Sequence, residues 1–491
     1  MASISFDFNN MLSINIGNDH GVDEREVSAW VEAAEKAHQH LSAVLKDKKT
    51  RVNLGMEWAL LPNQDKVTVG KIQALGKQIA RKYENVISLG IGGSYLGIKA
   101  AQDALCPPYF NEFAALRKSK PRFYFEGNNL DPDTLNALLK NLNPKKTFVV
   151  VISKSGETTE TKAAFMVVES WLKKAVGPRY GRQIIAITDP TSGSLRKKVT
   201  AAQEKDPLSF QSLPLLPGVG GRFSELNMGL LHLAIVGVPI LEVLQGAQAM
   251  AKRLSEPNLM KNPAYLYAVL HTILYRKKDK SIAVLMPFSE TLKSTADWYV
   301  QLLAESLGKK YARLIQSSAE GLEQWVSDMQ VSVNLGRTPI ASRGTNDLHS
   351  IQQNNIEGEH NKVITFIKVT KFKTDITINA KNDILSGKKF SELMQLAQEA
   401  TEWALTRESR PSCTITLSEV NPFSWGGLLF FFEVATAFEG ELLNLNTFDQ
   451  PGVEGYKNYM YYALKKPGLP ERIIQEIKNN PLKKNPQFIL Q

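Results

Sequence analysis

The stretch Asn85-Val86-Ile87-Ser88-Leu89-Gly90-Ile91-Gly92-Gly93-Ser94-Tyr95-Leu96-Gly97 decides the fold. Asn85 to Leu89 is a short apolar run of strand type, the glycines give a tight turn, and a helix opens beyond them. Similar runs at Arg122 to Glu126, Thr147 to Ile152 and Gln183 to Thr188 alternate with helical stretches. After a buried helical region from Leu226 to Leu244 the pattern restarts at Ser281 to Pro287, Lys362 to Val369 and Ser412 to Leu417. Strands spaced by helices imply βαβ units and parallel sheets covered on both faces. The expected fold class is α/β, with two doubly wound parallel-sheet domains and helical segments at both ends. Apolar residues recur at helical spacing between Asp23 and Lys46 (Val27, Trp30, Val31, Ala34, Ala37, Leu41, Val44, Leu45), which predicts an amphipathic helix. The closing segment, Lys465 to Gln491, is polar around one short helical stretch, Glu471 to Lys478. The expected division is a helical segment at 1–75, α/β domains at 76–245 and 246–445, and a turn with a helical tail at 446–491.

With 43% apolar and 22% charged residues in a chain of 491, the composition is that of a globular protein with more than one core. A net charge of +10 favours anionic partners without saying which. The basic residues are scattered in short runs such as Lys277-Lys278 and Lys465-Lys466, so nucleic acid is not an expected partner. Cys106 and Cys413 are too few for a disulfide framework or a thiolate metal cluster, and a reducing, cytoplasmic setting is expected. Met1 to Asp19 does not read as a secretory signal. The apolar stretches Met228 to Leu241 and Phe423 to Phe438 are interrupted by His232 and Glu433 and are shorter than a span of about 18 clean residues, so no membrane segment is expected.

Several motifs carry possible chemistry. The glycines from Gly90 to Gly97, with Gly93 and Ser94 at the turn, allow backbone N–H groups to meet an anion at a helix N-terminus. The dinucleotide fingerprint fails because Tyr95 stands where its third glycine belongs, and the phosphate-loop pattern of nucleotide triphosphatases fails because Ile98 takes the lysine position. A purely structural turn is the plainer alternative. Ser153-Lys154-Ser155-Gly156-Glu157-Thr158 follows an apolar strand, and its hydroxyls and lysine offer several donors to one phosphate, whereas an ordinary helix cap needs one. Gly220-Gly221-Arg222-Phe223-Ser224 holds an arginine whose fixed charge can stabilise an oxyanion, although such a loop is often only surface.

Gln301 and Glu305 lie one helical turn apart on one face, with Glu305 in the last turn before Gly308. The negative end of the helix dipole opposes a carboxylate there, a setting that suits a general base; a solvated helix-end glutamate is the commoner case. His349, in Gly344-Thr345-Asn346-Asp347-Leu348-His349, suits an acid/base role better than metal ligation, because no cluster of further ligands accompanies it. Phe448-Asp449-Gln450-Pro451-Gly452-Val453-Glu454-Gly455-Tyr456-Lys457 is a turn that can aim Lys457 at a substrate oxygen or leave it solvated.

Taken together, from about Val86 to Lys457, these motifs resemble the glucose-6-phosphate isomerase (phosphoglucose isomerase) family. The stretches Gly220 to Ser224 and Phe448 to Lys457 are the most specific, and the Gly344 to His349 stretch and the Gln301/Glu305 helix agree in order. The resemblance implies two sugar-isomerase domains, a cytosolic homodimer with its active site near the subunit boundary, a hexose 6-phosphate substrate, and no metal or organic cofactor. It also implies that Gly93, Ser94, Ser153, Lys154, Ser155 and Thr158 cradle the phosphate and substrate, and that Gln301 contacts the sugar. Glu305 matches the base that moves a proton between C1 and C2, Arg222 the cation beside the enediolate, and His349 and Lys457 the ring-opening groups, the histidine often coming from the neighbouring subunit. Glu157 departs from the pattern by placing a carboxylate in the phosphate loop; it is expected to point to solvent. The rival readings are a sugar-phosphate-binding regulator and an isomerase of another hexose phosphate.

Overall fold

The computed structural model describes residues 4–490; the first three residues of the Met1 to Asp19 stretch and the last residue of the tail lie outside the described residues. The chain forms two compact units, one ending at Phe448 and the other beginning at Asp449. The second unit carries the helices Glu454–Ala463 and Glu471–Asn479.

The described strands, in chain order, are β1 (Ile4–Asp7), β2 (Asn85–Leu89), β3 (Arg122–Glu126), β4 (Thr147–Ile152), β5 (Ile184–Thr188), β6 (Gln211–Pro214), β7 (Ile282–Pro287), β8 (Lys309–Ser317), β9 (Glu323–Leu335), β10 (Thr338–Ala341), β11 (Lys362–Val369) and β12 (Ser412–Leu417). One sheet has the order β3-β2-β4-β5-β6, all parallel. The other has the order β1-β12-β11-β7-β10, parallel except for β1, which runs antiparallel to β12 with Ile4 opposite Leu417. Leaving β1 aside, both sheets begin at a central strand, step to one side, and return to the other. In each, the chain therefore reverses direction across a gap at the carboxyl ends of two neighbouring strands, which is where open α/β sheets bind ligands. In the first sheet those neighbours are β2 and β4.

The seven runs of strand type in the sequence all form strands, and the α/β class with parallel sheets holds. Successive residues of each strand point to opposite faces. Thus Val86, Phe148 and Val150 join a core shared with Ala283, Leu285 and Ile415 of the second sheet, while Ile87, Leu89, Val149 and Val151 face a separate outer core. Val284, Met286, Ile364 and Phe366 face a third. The shared core is built on three helices, Glu225–Val236, Pro263–Lys277 and Pro422–Leu442, which are apolar nearly all round and almost wholly buried. No helix among the described residues is long and apolar enough to cross a membrane.

Five strands carry no clear sequence signal. β1, β6 and β10 sit at sheet edges, and β8 with β9 forms a two-stranded antiparallel ribbon. The helix expected from Asp23 to Lys46 is broken into Glu24–Ser28 and Val31–Lys46. Asp23 starts the first piece with a reciprocal capping box to Glu26.

Candidate active site

The loops that follow β2, β3 and β4 leave the same edge of the first sheet because these strands are parallel neighbours. After β2 the chain makes a single 3-10 turn, Gly92–Ser94, before the helix Leu96–Leu105. Gly93 faces the turn Gly221–Phe223 so closely that a Cβ there would lie 2.0 Å from the Gly221 carbonyl oxygen. Only glycine lets these two backbones meet, and their meeting sets Arg222 beside the turn.

Gln301 and Glu305 project from the helix Lys293–Leu307 into an open cleft of about 540 Å³, whose walls include Gly92, Tyr95, Asn128 and Asn129. Both Glu305 oxygens are held: Gln301 Nε2 donates to Oε1 at 3.0 Å, and Arg222 Nη1 donates to Oε2 at 3.3 Å. Arg222 is only 2% exposed, and its fork is oriented by Nε to Ser306 Oγ at 2.8 Å and Nη2 to the Thr447 carbonyl at 2.5 Å. The Glu305 main-chain carbonyl, near the helix end, accepts from Lys309 Nζ at 2.8 Å. The helix dipole is therefore not the only field acting on the carboxylate; a guanidinium and an ammonium stand close by. The Glu305 side chain remains 29% exposed toward the cleft, so a small molecule can reach it. A half-open carboxylate, a buried guanidinium bonded to it and a polar cleft can move a proton at carbon and stabilise the charge that results.

The segment Ser153 to Thr158 leads from β4 into the helix Thr159–Val176. Ser153 Oγ accepts from Gly156 N at 3.0 Å and Ser155 Oγ from Glu157 N at 3.1 Å, so both hydroxyls brace the loop as acceptors while keeping a proton to donate. Thr158 occupies the cap position, yet its hydroxyl makes no capping bond. Lys154 and Ser155 are exposed. Glu157 is drawn back to Lys162 on the same helix, with both carboxylate oxygens 3.2 Å from Nζ.

His349 ends the turn Asn346–His349 beyond β10; it is exposed and is not among the residues lining the cleft. Lys457 belongs to the second unit, where its ammonium donates to Glu454 Oε1 at 2.8 Å. Burial opposes that charge, but the bond to Glu454 and its carboxylate outweigh the cost and raise the lysine above its ordinary value. Both cysteines are free and buried, and burial pushes each thiol up to about 12, so neither is a ready nucleophile.

The sequence shows no sign that Arg222, Ser306 and Thr447 form one hydrogen-bonded group, because the bonds join distant segments. Asn128 and Asn129 carry a weak signal, a Gly-Asn-Asn turn directly after β3. Glu225 and Glu433 are a further surprise. Both are buried, Glu225 three residues after Arg222 and Glu433 inside the apolar helix Pro422–Leu442. Trp298 Nε1, one turn before Gln301, donates to Glu225 Oε1 at 2.9 Å, and a Cβ on Gly97 would lie 2.0 Å from Glu225 Cγ. Glu225 thus touches the helix of Gln301 and Glu305 and the helix that follows the glycine turn. Burial pushes its carboxyl up to about 7 and, with the charge of Glu225 facing it, pushes Glu433 well above the usual range.

A folded value above the ordinary 4.5 means that folding takes up protons between the two, so the stability this carboxyl supplies is complete below about 4.5 and is lost as the pH rises to about 7. Glu225→Gln is expected to flatten the fall of melting temperature over that interval, measured by calorimetry at fixed ionic strength. An unchanged slope in the variant would remove Glu225 as its source.

A family profile described as phosphoglucose isomerase matches residues 63–468 of the chain. The glucose-6-phosphate isomerase of Carboxydothermus hydrogenoformans is 37% identical over 496 aligned residues, covering 100% of both chains. That of Levilactobacillus brevis is 34% identical over 96% of this chain and 98% of its own. Among solved structures, a hypothetical protein of Thermus thermophilus superposes with a TM-score of 0.77 and 29% identity, covering 94% of this chain and 100% of that one. The fold is shared with the glucose-6-phosphate isomerase of Chlamydia trachomatis, with a TM-score of 0.73 and 22% identity over 97% of this chain and 91% of that one.

Proposed function

The chain belongs to the phosphoglucose isomerase family, and from that premise we propose that it interconverts glucose 6-phosphate and fructose 6-phosphate, a step of glycolysis and gluconeogenesis, with Glu305 as the carbon base. The observation that carries the assignment is the Glu305 carboxylate at the cleft, with one oxygen held by Gln301 and the other by the buried Arg222.

The phosphate of the substrate is held by Ser153, Lys154, Ser155 and Thr158 at the N-terminus of the helix Thr159–Val176, with Gly93 and Ser94 lining the neighbouring turn. His349 and Lys457 open the pyranose ring by moving a proton from the C1 hydroxyl to the ring oxygen. Glu305 then takes the C2 proton of the open aldose, giving a cis-enediolate whose negative oxygen is stabilised by Arg222. The same carboxyl returns the proton to C1, the hydroxyl proton passes from O2 to O1, and the ketose is left. Gln301 keeps the carboxylate oriented throughout. These steps need a base, a fixed cation and an acid/base group at the ring oxygen, and each residue assigned is of the type its step requires.

His349 is exposed within one chain, which supports its use in a neighbouring copy: the protein works as a homodimer in which this histidine completes the partner's cleft. The two free, buried thiols fit a reducing, cytoplasmic setting.

The test is turnover of fructose 6-phosphate coupled to a glucose-6-phosphate dehydrogenase reporter, run beside mannose 6-phosphate and glucosamine 6-phosphate. Turnover of the fructose ester is expected; a folded preparation without it would leave only the sugar-phosphate-binding reading. His349→Ala is expected to lower the rate more with the cyclic sugar than with the open-chain fraction, checked by comparing steady-state turnover with C2 proton exchange. Equal losses would take ring opening away from His349.

A further inference from the structure

At the edge of the second sheet opposite the carboxyl ends of its strands, the entries to three adjacent strands each carry a buried cation. Lys280 lies two residues before β7, Lys362 is the first residue of β11, and Arg410 lies two residues before β12. They are 2%, 6% and 6% exposed. The imidazoles of His20 and His360 stack beside them with centroids 4.1 Å apart, and these two rings are the partly exposed members of the group.

None of the three cations is hydrogen-bonded to a carboxylate among the described residues. Lys280 Nζ meets the His360 carbonyl at 2.6 Å and His20 Nδ1 at 3.3 Å. Lys362 Nζ meets the Glu359 carbonyl at 3.1 Å and Asn361 Oδ1 at 3.0 Å. Arg410 Nη2 meets the Gly358 carbonyl at 2.6 Å, while its Nε and Nη1, together with His360 Nδ1, are buried without a protein partner among the described residues. The acids in the neighbourhood, Asp19, Asp279, Glu359 and Glu408, are exposed, and Glu408 is paired with Arg407. Burial lowers Lys280, Lys362 and Arg410 below their ordinary values, and repulsion from Arg410 lowers the two lysines further. Burial and the same repulsion hold His360 down to about 4.

Part of this charge has an explanation within the fold. The helices Pro263–Lys277, Gln352–Glu357 and Phe390–Arg407 end shortly before the three strand entries. Each helix end carries about half a negative charge, so three of them offset about half of three full cations. The remainder is unbalanced, and two buried guanidinium donors of Arg410 stay unmet. A tetrahedral dianion answers both terms: its charge matches the excess, and its oxygens suit the planar Arg410 fork and the ammonium groups.

We propose that Lys280, Lys362, Arg410 and His360 form a binding site for a phosphate group, at the amino-end edge of the second sheet. The site lies apart from Ser153 to Thr158, and it does not depend on the reaction proposed above. Inorganic phosphate and a small phosphomonoester present the same group, so both are used as probes.

The experiment follows the melting temperature of the full chain during titration with inorganic phosphate, and separately with glycerol 1-phosphate, at constant ionic strength with sodium chloride as control. The background is Ser155→Ala/Thr158→Ala, which weakens the other phosphate loop. A saturable rise is expected with phosphate and not with chloride, and its apparent Kd weakens at least about tenfold in Arg410→Gln or in Lys362→Gln. Saturation by phosphate but not by the ester assigns the free ion; equal response assigns the shared group. A rise of the same affinity in the variants, or one that chloride reproduces, overturns the proposal. Should either variant fail to fold, phosphorus NMR of the otherwise intact chain decides: no slow-exchanging or broadened phosphate signal means no site.

Discussion

Glu305→Gln lowers the turnover of fructose 6-phosphate by about 10²- to 10⁴-fold, the range that a positioned general base supplies. The substitution keeps the size of the side chain but removes its ability to take a proton from carbon. It also breaks the local pattern of donors. In the native chain Gln301 Nε2 and Arg222 Nη1 both donate into the carboxylate, one to each oxygen. A glutamine amide must turn its own NH2 toward one of them, setting donor against donor. The decisive measurement is deuterium incorporation at C2 of the sugar in heavy water, followed by proton NMR, with phosphate-ester binding measured separately. Exchange that persists near the native rate would take the base role away from Glu305.

Arg222→Lys is the second large effect. The lysine keeps the charge and loses the fork, and the native fork is used in three directions, toward Ser306, Glu305 and Thr447. An ammonium can serve one or two of these, leaving a buried carbonyl or hydroxyl unmet at a cost of about 1–3 kcal/mol in stability. Loss of a preorganised donor beside the developing oxyanion lowers kcat by about 10²- to 10³-fold. The two losses separate experimentally: urea denaturation reads the first, and single-turnover kinetics at a temperature where the variant is fully folded reads the second. A variant with native kcat and reduced stability would make Arg222 a brace for Glu305 and nothing more.

The central strands were legible because they are buried on both faces and therefore appear as unbroken apolar runs, as in Thr147–Ile152. The edge strands were not. Thr338–Ala341 includes a proline and is only partly buried, and the outer half of Glu323–Leu335 is exposed, so neither shows the pattern of a covered strand. Helical spacing alone put Gln301 and Glu305 on one face. What spacing cannot give is the contact between Arg222 and Glu305, which are brought together by Gly93 lying against Gly221. Glu225 and Glu433 were equally opaque: a lone acid in an apolar helix shows in sequence only as an interruption, and its partner lies about 200 residues away, joined to it only by the packing of two helices.

The antiparallel edge strand β1 has a consequence for how the chain is made. Residues Ile4 to Asp7 leave the ribosome some 400 residues before their partner on β12, Thr414 to Leu417. At about 5–20 residues per second that is a delay of roughly 20 to 80 seconds. The first sheet, complete once Pro214 has emerged, can close during that interval, whereas the leading strand waits with its backbone groups unpaired. Ile4 to Asp7 thus spend some tens of seconds of synthesis as an unpaired strand, open to pairing with another chain.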